Sequence, residues 1–233
     1  MHVPDVACND RGTPQLDDMF HRAQRMGRGD RVCYVNADII LGPDILTAER
    51  SIQLPRFLMV GRRTNLDIVE RIRPEDVPSV QARARAEGEL FNAAGIDYFL
   101  FPRGQIMDML PFPVGRAMWD NWVIFHMRQT GVPVIDATEC VLAVHQNHDY
   151  SHIAGGQKAS YEGTEYQSNW DLVGRDFLRF TMDDATWRLT DSGPRRVLNP
   201  RRLIRHTLRA PALVPGLRRV IRIGRAGKHL LGR

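Results

Sequence analysis

No stretch of this 233-residue chain is apolar for the roughly 18–20 residues that a bilayer crossing takes. A helical membrane span is thereby excluded. The first residues lack the basic, apolar and small-residue order of a secretion signal, so a cytoplasmic location is expected. Cysteine is scarce. Cys8, Cys33 and Cys140 are the only three, an odd number without ligand spacing. That excludes a paired disulfide framework and a cysteine zinc site, and reduced, mostly buried thiols are expected. There is no Gly-x-Gly-x-x-Gly, no phosphate-loop lysine motif and no Gly-x-Ser-x-Gly. Ordinary dinucleotide-binding, kinase and serine-hydrolase readings fall away with them. No internal repeat is visible.

Acidic residues are absent from 195–233, which holds twelve Arg and Lys. The chain has 32 basic and 27 acidic residues, so residues 1–194 keep 20 against 27, a net −7 under an overall +5. Such asymmetry speaks of partners rather than of fold. Two segments follow: a body, 1–194, and a basic tail, 195–233. Pro194, Pro200, Pro211 and Pro215 punctuate the tail, which is read as short amphipathic helices or as a solvated, disordered stretch. Its Leu217-Arg218-Arg219-Val220-Ile221-Arg222-Ile223 alternation suits a basic helix lying on an anionic membrane surface, peripheral at the inner face. Nucleic acid is disfavoured, because the tail has no aromatic residue for stacking.

What the body has is a core: 43% of the chain is apolar, enough to bury one. Leu16, Met19, Phe20, Ala23 and Met26 recur at helix spacing before Gly27. Strands are predicted over 32–35, 57–60, 98–101, 132–135, 141–144 and 186–190, with a short one at His2–Val6. Helices are predicted after Gly42-Pro43, over 74–93 with an exposed character, and over 117–130. Residues 151–170 read as a mobile loop. Strands alternating with helices predict an α/β fold with a mixed sheet.

Polar residues gather where apolar strands stop, the edge at which open α/β sheets hold ligands. Asn36-Ala37-Asp38 ends one run. Asp38 is a ligand type for Mn²⁺ or Mg²⁺, and Asn36 is suited to ribose or metal-bound water. The alternative is an Asx turn. His145-Gln146-Asn147-His148-Asp149-Tyr150 ends another, with His145 and His148 as metal ligands or as members of a polar loop. In Trp119-Asp120-Asn121-Trp122 the indoles can stack on a sugar while Asp120 binds hydroxyls or acts as general base. Otherwise Asp120 is a helix cap and both tryptophans are core. Asp97 opens a strand and can reach the same edge, or is a turn residue. Arg62 and Arg63 follow a strand and can grip a diphosphate, or stay solvated.

The stretches Tyr34–Leu41, Phe57–Arg63, Asp97–Pro102, Gly115–Trp122 and His145–Tyr150 together resemble the GT-A class of nucleotide-sugar-dependent glycosyltransferases, over about residues 1–155. The resemblance implies an α/β/α sandwich with a mixed central sheet whose first strand or strands are missing here. It implies a nucleotide-sugar donor, a glycan or lipid-linked acceptor, and Mn²⁺ or Mg²⁺ held by an Asp-x-Asp-type triplet. Asn36 replaces the first acid of that triplet, so only Asp38 carries over, with His145 or His148 completing the shell. Asp120 stands in the order of the catalytic base of inverting members. Two other functions stay open: a non-catalytic sugar or nucleotide-sugar binder of the same fold, and an interaction protein acting through its basic tail.

Overall fold

The computed structural model describes residues 2–148, 161–174 and 177–214. Asp149, Tyr150, residues 151–160 of the expected loop and the Leu217–Ile223 stretch lie outside the described residues.

The described chain is a mixed α/β fold. Its strands are β1 (Arg31–Val35), β2 (Ile39–Leu41), β3 (Leu58–Leu66), β4 (Glu89–Leu90), β5 (Ile96–Pro102), β6 (Val134–Asp136), β7 (Ala143–Gln146), β8 (Trp187–Thr190) and β9 (Gly193–Arg196). Its helices are α1 (Leu16–Met26), α2 (Asp44–Arg50), α3 (Val77–Glu87), α4 (Trp119–Gln129), α5 (Thr164–Val173) and α6 (Pro200–Leu213). The sheet order is β1-β5-β3-β6-β8-β9. β5 runs antiparallel between β1 and β3, while β3, β6 and β8 are parallel.

Strand alternation divides the core around β3 and β5 in two, and a third, smaller cluster of Leu66, Ile68, Val80, Ala84 and Val144 lies where the second half of β3 pairs with β7. Leu58, Val60, Phe99 and Phe101 point to one face, where they meet Leu16 and Phe20 of α1 and most of α4. Phe57, Met59, Tyr98 and Leu100 point to the other, against Ala48 of α2 and Ile52. Burial on both faces is why these strands read as unbroken apolar runs.

β3 makes the sheet fork. Its first half pairs with β5 and β6, and its second half, from Arg63 on, pairs with β7. The register shifts between Val60 and Arg62. Gly61 sits at the shift, where any Cβ would collide with the Tyr98 hydroxyl. β2 extends the second arm through β7. The Asn36-Ala37-Asp38 turn therefore crosses from one arm to the other.

Several expectations are corrected. Residues 2–6 form no strand; Pro4 has no N–H to give a ladder. The strand at 57–60 does not stop at Gly61 but runs to Leu66. The stretch 74–93 is helical over Pro74–Asp76, a 3-10 turn, and Val77–Glu87, but not beyond, and Val80, Gln81 and Ala84 are buried rather than exposed. Residues 164–170 of the expected loop belong to helix α5, Thr164–Val173. Cys8 and Cys33 are exposed and Cys140 is half-buried, all free; Cys33 lies on the outward side of β1, which ends the strand order. β9 crosses the expected 194/195 boundary, and the first part of the tail is one helix, α6. No helix among the described residues is long and apolar enough to cross a membrane.

Candidate active site

A cleft of about 750 Å³ over the sheet is lined by the β1–β2 turn, the start of β5, the loop before α4, the end of β7 and His148, with Arg179 closing one side. Asn36, Asp38, Arg63, Asp97, Trp119, Asp120 and His148 all contribute to its wall.

Asp38, His145 and His148 converge across the fork. Asp38 Oδ2 is 3.3 Å from His145 Nε2 and 3.1 Å from His148 Nε2. One donor atom from each residue lies within 4.8 Å of the others. The backbone builds this: Ile39 faces His145 in the β2–β7 ladder, and the Gln146 N–H donates to the Asp38 carbonyl at 3.0 Å. Ligands about 2.1 Å from a shared ion sit about 3.0–3.4 Å apart, so the spacing fits a single ion. Asp38 Oδ1 and His145 Nδ1 are buried without a hydrogen-bond partner, and His145 Nε2, 3.3 Å from Asp38 Oδ2, makes no well-aligned hydrogen bond. A buried imidazole nitrogen left unsatisfied is costly, and an ion held with Asp38 and His148 would satisfy Nε2. Burial works to raise the Asp38 carboxyl, but its contacts with His145 and His148 outweigh this and hold it down to about 2.

Asn36 and Asp97 form a pair of their own. The Asn36 amide donates to Asp97 Oδ1 at 2.7 Å, and Arg63 reaches Asp97 Oδ2 at 3.3 Å. Burial lifts the Asp97 carboxyl above its ordinary range against the pull of Arg63. Arg63 also lies over the Phe91 ring, 4.4 Å from its centre. Arg62 points elsewhere: its guanidinium donates to the Phe91 carbonyl, Nε at 2.6 Å, and it does not line the cleft. Neighbouring residues of a strand face opposite ways, so only one of the two arginines can face a diphosphate here.

Met118 is the one described non-glycine residue with positive φ, 97°, and it immediately precedes α4. Strain of this kind gathers at sites where it aims a side chain. Here it aims Trp119 and Asp120 at the cleft. Trp119 rests edge-on against Tyr34, ring centres 4.9 Å apart. Asp120 is half-buried against protein on most sides, and burial pushes its carboxyl up to about 6. Trp122 does not join them. It sits one turn further on, stacked on His126 at 4.7 Å within the core. The expected indole pair around Asp120 is therefore a single indole.

Arg116 and Arg179 also line the cleft; Arg116 falls within the Gly115–Trp122 stretch, which gives it no role, and Arg179 belongs to no motif. Arg116 NH2 pairs with the buried Glu165 at 2.6 Å. Arg179 donates to the Tyr166 hydroxyl at 2.6 Å. Both carboxylate and hydroxyl come from α5, within the stretch read as loop, so no local signal marked either arginine.

No protein-family model, characterised protein or solved structure matches the chain.

Proposed function

We propose that the chain is a divalent-metal-dependent glycosyltransferase of GT-A type, moving a sugar from a nucleotide-diphosphate donor to a glycan or lipid-linked acceptor. The observation that supports it best is one cleft lined both by the Asp38 and His148 donors, with His145 behind them, and by the half-buried carboxylate of Asp120. The mixed sheet with helices on both faces is what such a protein requires.

Asp38, His145 and His148 would hold the ion, and two imidazoles with one carboxylate favour Mn²⁺ over Mg²⁺. When bound, the ion neutralises charge on the leaving diphosphate. Arg63, Arg116 and Arg179 add positive charge to the same wall. Tyr34, and the small exposed edge of the otherwise buried Trp119, offer ring surface to the sugar. Asp120 accepts the proton of the acceptor hydroxyl as that oxygen bonds to the anomeric carbon. The bond from that carbon to the diphosphate oxygen breaks, and the diphosphate leaves with the electron pair. A base near pKa 6 is ionised at neutral pH and still basic enough for this task.

Asn36 favours a second reading, a binder without turnover. It stands where the GT-A triplet has its first acid, and its amide is held by Asp97. Turnover of a nucleotide sugar separates the two.

The test is calorimetric titration with UDP, GDP and their sugar conjugates, with and without Mn²⁺. Metal-dependent binding of one nucleotide is expected. Asp38→Ala should weaken it by more than the ~10–100-fold typical of losing an outer-shell partner of a metal site. Unchanged affinity removes Asp38 from the ligand set, and no binding to any nucleotide overturns both readings.

A further inference from the structure

The last described helix is inside out. Arg202, Arg205, His206 and Arg209 of α6 share one face by their spacing, and that face is turned to the body. Arg202 pairs with Asp136 at 3.0 Å, and Arg205 and Arg209 with Asp184 at 2.8 and 3.0 Å. Asp184 is fully buried and Asp136 nearly so. The opposite side carries Leu203, Ile204 and Leu208, with Leu198 just before the helix, at 54, 61, 74 and 78% exposure. Rolling the helix to hide these side chains would strip two buried carboxylates of their partners. The ion pairs hold the apolar side outward.

We propose that this face docks on an anionic phospholipid surface. Charge selects the occupant. Residues 195–233 hold twelve basic residues and no acidic one, and exposed Arg195, Arg196 and Arg201 border the exposed aliphatic side chains. Aliphatic side chains entering the headgroup boundary beside a cationic rim are the chemistry of interfacial helices. Two copies of the same face would bring like charges together, which disfavours self-pairing. The docked helix is tied to the cleft: Arg209 donates to the Arg179 carbonyl at 2.6 Å, and Arg179 lines the cleft wall. The inference does not depend on which reaction the cleft performs.

The test is flotation of the full chain with vesicles of phosphatidylcholine, pure or about one third phosphatidylglycerol. Binding to the anionic vesicles and little to the neutral ones is expected. The double variant Ile204→Ser/Leu208→Ser, at exposed positions that folding does not need, should bind about tenfold or more weakly while melting as the parent does. Three outcomes overturn the proposal: no binding of the parent to anionic vesicles, equal binding of the variant, or a dimer by light scattering that the variant converts to monomer.

Discussion

At the scale of the residue, Asp120 is the most informative side chain, because stability and chemistry pull it in opposite directions. Its folded carboxyl titrates near 6, above an ordinary value of 3.8. The native state therefore holds this proton more tightly than the unfolded chain does. Its contribution favours folding in acid and is lost as pH rises from about 4 to about 6. Above that range the ionised group destabilises by up to about 3 kcal/mol, less whatever cleft water screens. Asp120→Asn should raise the melting temperature by about 2–6 °C at pH 8 and change little at pH 3.5, as calorimetry would show. Turnover should fall by ~10²–10⁴-fold in the same variant, with nucleotide binding kept. A structural cap would behave otherwise, losing stability at both pH values. Asp38, His145 and His148 were legible in the sequence because each closes an apolar run. Trp122 and Arg62 misled because a short motif does not say which side of a helix or strand each member takes.

At the scale of the element, the strands were legible and their limits were not. The runs at 57–60 and 98–101 are β3 and β5 in part, since sheets buried on both faces leave uninterrupted apolar sequence. β4, β9 and α5 escaped because their stability comes from neighbours rather than from period. α6 shows this best. The tail reads as short amphipathic helices or a solvated stretch, with nothing to say where its arginines go, whereas the buried Asp184 receives two of them together with the Thr181 N–H at 2.9 Å. Asp184→Ala leaves those guanidinium groups facing a protein wall and should cost about 3–5 kcal/mol. The expected readout is a melting temperature lower by about 6–15 °C, with limited proteolysis cutting first around 197–214.

At the scale of the whole molecule, the fork in the sheet governs the site. Asp38 belongs to the turn between the arms, and His145 belongs to the second arm alone. Bound Mn²⁺ would pin the arms together. At 100 times its dissociation constant an ion specific to the folded state adds about 2.7 kcal/mol. Amide exchange should slow in 36–41 and 143–148 and stay unchanged in β6 and β8; uniform slowing, or none, would count against a site at the fork.

The fork also has a temporal side. Asp38 and His148 are 110 residues apart in the chain, so the cluster exists only once distant segments have paired. The ion gains only when all three donors stand in place together, which a partly structured transition state does not provide. Mn²⁺ should then leave the refolding rate nearly untouched and slow unfolding instead, so that the ion would act on the lifetime of the folded protein and not on the speed at which it is made.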